Sequence, residues 1–106
     1  MKFRPLADTG VFVSELCLGT MTFGGGAAIW QTIGGLEQKA ADEIVHRSID
    51  AGINFIDTAN VYATGESETL LGKALAGKRQ GIVLATKVRG RMGPGANQVG
   101  LSRLHI

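Results

Sequence analysis

GINFIDTANVYATGESETLLGKAL, Gly52 to Leu75, carries a strand, a polar loop and a helix in that order. Ile53-Asn54-Phe55-Ile56 is a short, mostly apolar run behind a glycine and predicts a β-strand. A loop then runs through Tyr62. Leu70, Leu71, Ala74 and Leu75 recur at helical spacing, Ser67 and Glu68 suit a cap and an acidic first turn, and Gly77 suits the stop.

The flanking sequence repeats the pattern. Upstream, Leu36, Ala40, Ala41, Ile44, Val45 and Ile49 fall on one stripe and predict a helix from Leu36 to Ala51, with Gly52 as the left-handed residue that ends it. Before it, Leu16-Cys17-Leu18 closed by Gly19-Thr20 predicts a strand buried on both faces, with Cys17 in the core. Lys2 to Val13 reads as a β-hairpin about Asp8-Thr9-Gly10, Gly10 taking the positive φ. Downstream, Ile82-Val83-Leu84-Ala85 is a third buried strand, ended by Thr86-Lys87.

The order is hairpin, strand, helix, strand, helix, strand, which implies βαβ units and a parallel sheet. A dinucleotide-binding fold would place G-x-G-x-x-G directly after its first strand. Here Gly19-Thr20-Met21 opens a long loop with Gly24, Gly25, Gly26, Gly34 and Gly35, and neither that spacing nor a phosphate-binding Lys-Ser/Thr is present. A (β/α)8 TIM barrel accounts for the long loops better, because its βα-loops carry the chemistry. Such a barrel takes about 250 residues. The expectation is therefore one unit, residues 1–106, consisting of a hairpin and the first three strands and two helices of a barrel that is incomplete at this length. Ser102 resembles the N-cap of a third helix.

Composition narrows the function. Hydrophobic residues make up 44% of the chain, ordinary for a soluble globular protein. A net charge of +2 from scattered residues predicts neither nucleic-acid nor membrane binding, and no window approaches the apolar length of a membrane span. One cysteine excludes an internal disulfide, and no Cys/His cluster has metal-ligand spacing. A cytoplasmic location is expected.

Gly19, Asp57 and Lys87 each close a predicted strand, so a parallel barrel gathers them on one rim, and Tyr62, on the loop after Asp57, can fold back over it. An ammonium beside a phenol favours the phenolate, and a carboxylate beside the ammonium keeps it charged. Carboxylate, phenol and ammonium together make a plausible proton-transfer unit.

The segment from Gly52 to Leu75 closely resembles the first signature of the aldo-keto reductase family. Leu16-Cys17-Leu18-Gly19-Thr20-Met21, Ala85-Thr86-Lys87, Leu101-Ser102-Arg103 and His105-Ile106 support the match. The resemblance implies reduction of a small aldehyde or ketone by hydride transfer from NADPH. It makes Tyr62 the general acid, with Lys87 and Asp57 as its tuners, and brings Gly19, Thr20, Met21 and Asp57 to the nicotinamide and its ribose. The family's fourth catalytic residue, a histidine after the fourth strand, is expected beyond Ile106. His105 is not that residue, and His46 is expected on the solvent side of its helix.

Other readings stay beside this one. A lone Asp or Lys at a strand end is usually a surface or capping residue, so the case rests on the three together. Trp30 either lines the substrate pocket with Tyr62 or packs locally within its loop. Arg89 and Arg91 either attract a phosphorylated substrate or belong to a solvated, mobile glycine-rich loop, the expected alternative. The whole protein is alternatively a non-catalytic NADPH-binding regulatory subunit, as in the potassium-channel β-subunits of the same fold, and 106 residues alone are expected to be inert.

Overall fold

In the computed structural model, which describes residues 1–25 and 34–106, the chain starts with the expected hairpin. Strands β1 (Phe3–Pro5) and β2 (Phe12–Ser14) pair antiparallel, Phe3 opposite Ser14. Their loop is longer than a tight turn. Leu6 N–H donates to Val11 O at 2.8 Å, Thr9 Oγ1 donates to Leu6 O at 2.6 Å, and Ala7 joins Gly10 at positive φ.

Among the described residues the elements that follow are β3 (Cys17–Gly19), α1 (Gln38–Asp50), β4 (Phe55–Asp57), a 3₁₀ turn (Tyr62–Gly65), α2 (Glu66–Ala74) and β5 (Val83–Ala85). The strands form a parallel sheet in the order β3-β4-β5. Leu18, Ile56 and Leu84 lie abreast, as do Gly19, Asp57 and Ala85.

Alternation along the strands separates two faces. The Leu18-Ile56-Leu84 row packs with Ala41 and Val45 of α1, with Leu70, Leu71 and Ala74 of α2, and with Phe23. The two helices among the described residues thus cover one face, as in a barrel wall and unlike a doubly wound sheet. The opposite face carries Cys17, Phe55, Asp57 and Val83, and no described helix covers it. Cys17 is exposed, which corrects its expected place in the core. None of the three strands is buried along its whole length, because the helices cover only one side.

Helix ends follow local chemistry. α1 begins two residues after Leu36, whose backbone instead closes the long first loop: Gly24 N–H donates to Leu36 O at 2.8 Å. At its C-terminus Gly52 N–H bonds Ile49 O at 2.8 Å and Ile53 N–H bonds Ser48 O at 2.9 Å, with Gly52 at φ +90°. This is the glycine-terminated helix end that the sequence predicts. His46 does not face solvent as expected. Its Nε2 lies 2.9 Å from Ala74 O, at the end of α2, where helical carbonyls lack intrahelical donors. No helix among the described residues is long and apolar enough to cross a membrane.

Candidate active site

The rim at the C-terminal ends of the strands is shaped by the chain between β4 and α2. Thr58 N–H donates to Ala85 O at 2.9 Å and Asn60 N–H to Lys87 O at 3.0 Å, so the parallel pairing continues past the strands. After Tyr62 the backbone enters the left-handed region at Ala63 (φ +47°), Thr64 (φ +55°) and Gly65 (φ +92°). For the two non-glycine residues this costs on the order of 1 kcal/mol each. The turn leads into α2, while Tyr62 stays beside Lys87. Glu66 and Glu68 fall in the first turn of α2, where the helix dipole favours negative charge.

Lys87 joins the pieces. Its Nζ lies 2.6 Å from Asp57 Oδ2, 2.9 Å from Thr58 O and 3.2 Å from Tyr62 Oη. The Tyr62 ring centre is 5.0 Å away, so contact is made at the phenol oxygen. Asp57, Tyr62 and Lys87 therefore meet as predicted. The ion pair is open to solvent, with the side chains 52% exposed at Lys87 and 36% at Asp57, so it adds at most about 1 kcal/mol to stability. Its hydrogen bond to Asp57 holds the Lys87 pKa above the usual lysine value; desolvation opposes this, and the Tyr62 bond and the Asp57 charge add to the rise.

The other predicted residues separate. Gly19 is the register partner of Asp57, and a Cβ built on it would meet nothing within 4 Å. Met21 is 43% exposed, whereas Thr20 is fully buried, its hydroxyl 2.9 Å from Ser67 Oγ. Trp30 lies outside the described residues. Ser67 stands inside the first turn of α2 instead of capping it, and Gly65 occupies the cap position.

Arg89 and Arg91 are both exposed, as the reading of a solvated loop expects. Arg91 Nη1 donates to the carbonyls of Gly93 (2.9 Å) and Gly95 (3.1 Å), so it folds back on its own loop. Asn60 Nδ2 donates to Val88 O at 3.1 Å, and His105 Nε2 lies 2.9 Å from the same oxygen, which makes the ring nitrogen a donor there. Ser102 behaves as a cap, accepting from His105 N–H at 3.2 Å. A cleft of about 630 Å³ opens beside Lys87, between Asn60, Glu68, Thr86, Met92 and His105. Hydrophobic periodicity carries no trace of the Asn60 and His105 contacts with Val88 O, which join side chains to backbone 28 and 17 residues away. Only the recurrence of Ser and Thr at strand and helix ends hints at polar contacts there.

The comparisons agree with this fold. The family model described as Aldo/keto reductase family matches residues 15–106. Aldo-keto reductase YhdN of Bacillus subtilis is 42% identical over 82% of this chain and 25% of its own length. A protein of Arabidopsis thaliana named probable voltage-gated potassium channel subunit beta is 40% identical over 100% of this chain and 30% of its own length. The solved structure of aldo-keto reductase AKR11C1 from Bacillus halodurans, in its holo form, superposes with a TM-score of 0.73 at 39% identity, covering 88% of this chain and 28% of that one. The chain thus spans between a quarter and a third of the length of these relatives. With a family match over most of its residues and a sheet that superposes on solved members, the chain belongs to the aldo/keto reductase family, its hairpin and three parallel strands forming the N-terminal part of a (β/α)8 barrel.

Proposed function

We propose that the chain supplies the proton-donating part of the active site of a cytoplasmic, NADPH-dependent reductase that converts a small aldehyde or ketone to its alcohol. The observation that carries this reading is the set of acceptors around Lys87 Nζ. An ammonium has three N–H bonds, and here they meet Asp57 Oδ2, Thr58 O and Tyr62 Oη. Because Lys87 donates to the phenol oxygen, the phenol's own proton is directed away from Lys87. Tyr62 is thereby oriented as a donor.

The rim fits a nicotinamide cofactor. Gly19 presents no side chain beside Asp57 and leaves the strand end open to a flat ring. Gly19, Met21 and Asp57 would hold the nicotinamide and its ribose, with Thr20 supporting them from the buried side. When bound, the cofactor supplies hydride to the carbonyl carbon. Tyr62 gives its proton to the carbonyl oxygen, the phenol O–H bond breaking as the alcohol O–H forms. The Lys87 ammonium, held by Asp57, stabilises the phenolate left behind. In the reverse direction the phenolate is the base. The choice of NADPH over NADH follows the family resemblance.

This activity is assigned to a protein that carries the complete barrel; the 106 residues alone are proposed to be inactive. The identity with the plant protein named as a potassium channel subunit supports a second reading, a cofactor-binding regulatory subunit. One assay separates the two. Full-length protein mixed with NADPH and an aromatic aldehyde is expected to oxidise the cofactor with an equal yield of alcohol. Tight NADPH binding without turnover of any carbonyl would favour the regulatory subunit.

A further inference from the structure

Behind the rim, three hydroxyl side chains meet away from solvent. Thr20 and Ser67 are fully buried and Thr58 is 2% exposed. Ser67, in the first turn of α2, donates to Thr20 O at 2.7 Å, and its Oγ lies 2.9 Å from Thr20 Oγ1 and 3.4 Å from Thr58 Oγ1. A hydroxyl offers one proton and two lone pairs. Since the Ser67 proton goes to the carbonyl, both threonine hydroxyls must donate to Ser67, and its capacity is filled.

The two threonines are bound to the groups that hold Lys87. Thr20 N–H donates to Asp57 O at 3.0 Å. Thr58 N–H donates to Ala85 O at 2.9 Å, and Thr58 O accepts from Lys87 Nζ at 2.9 Å. The Asp57–Thr58 segment is therefore fixed by β5 on one side and by the hydroxyl cluster on the other. It is this segment that presents both the carboxylate and the carbonyl to the ammonium.

We propose that Ser67 is a positioning residue: as the hub of a buried hydroxyl cluster with Thr20 and Thr58, it sets the Asp57–Thr58 backbone at the spacing from which Lys87 reaches Tyr62. The proposal rests on the reading of Tyr62 as proton donor. A buried hydroxyl with a structural role alone would, on replacement by an apolar group, cost about 1–3 kcal/mol of stability for each partner left unsatisfied and leave kcat of the folded protein unchanged. A hub also sets geometry, and a misplacement of about 1 Å near reacting groups costs on the order of 10²-fold in rate.

The test uses the full-length protein carrying Ser67→Ala, with Thr58→Val and Thr58→Ser as variants that remove or keep a hydroxyl at little change in volume. Ser67→Ala and Thr58→Val are expected to lower kcat by at least about ten-fold with KM for the aldehyde within about two-fold, while Thr58→Ser stays near wild type. In a Tyr62→Phe background Ser67→Ala should cost less than about two-fold, because both act through the same proton. Equal losses in the two backgrounds, or a Thr58→Ser as impaired as Thr58→Val, would overturn the proposal. A readout independent of turnover is the NMR titration of the Lys87 side chain: its pKa should fall in Ser67→Ala if the hub holds the Thr58 acceptor in place, and an unmoved value counts against it. Should Tyr62→Phe itself prove fully active, the proton-donor reading fails, and the Lys87 titration still decides whether Ser67 positions the ammonium.

Discussion

Strand β4 has a polar residue at each end, and the two are used differently. Asn54, just before the strand, is spent on backbone: its Oδ1 accepts from Ser14 N–H at 2.7 Å and its Nδ2 donates to Phe12 O at 3.1 Å. Ser14 Oγ returns the contact, accepting from Asn54 N–H at 3.2 Å. That end docks the hairpin against the sheet. Asp57, the last residue of the strand, is turned instead to a lysine that remains half exposed and that in turn reaches a tyrosine on a strained turn. An amide with its donor and acceptor tied to backbone builds structure. A carboxylate that holds a solvent-accessible ammonium against a phenol is the arrangement that the proposed proton transfer needs.

The sharpest way to break this contrast is to remove the charge at the rim. Lys87→Met in the full-length protein is expected to lower kcat on the order of 10²- to 10⁴-fold, the range of general acid catalysis, with a melting temperature close to wild type. A large stability loss would instead make Lys87 part of the scaffold. Asn54→Ala should do the opposite, costing about 1–3 kcal/mol in a denaturant titration because Ser14 N–H loses its acceptor, with kcat of the folded protein unchanged. Thr64→Gly sharpens the point about strain. Relief of the left-handed conformation outweighs the added freedom of the unfolded chain, for a net gain below about 1 kcal/mol, and the looser Tyr62 should lower kcat.

The smallest effect concerns pH. Lys87 titrates above the ordinary 10.5 in the folded protein, so its contribution to stability is fully present below pH 10.5 and is lost as pH rises through the raised folded value. With the lysine half exposed, the stability difference between wild type and Lys87→Met should stay under about 1 kcal/mol and be flat from neutral pH to about 10. A difference that grew towards higher pH would reverse the sign argued here.

Much of this was legible beforehand. The apolar stripe of α1, its glycine-terminated end and the three strand positions follow from periodicity, and the rim placement of Asp57 and Lys87 follows from parallel topology alone. The exposure of Cys17 is not legible, because a short apolar run looks the same whether one face of the sheet is covered or two. The contact of His46 is not legible because its partner is a carbonyl oxygen, which every residue carries and no composition reveals. The Ser67 hub escaped for a related reason: Ser beside an acidic residue at a helix start is the commonest cap pattern, and here Gly65 holds the cap position while Ser67 turns inward.

The central claim, that the rim of β4 is a proton-donating site, is tested most directly by the rate of aldehyde reduction in full-length Tyr62→Phe, with its melting temperature measured beside it. A proton-donating Tyr62 predicts a fall in kcat on the order of 10²-fold or more at unchanged melting temperature. A Tyr62→Phe protein that reduces aldehyde as fast as wild type would contradict it.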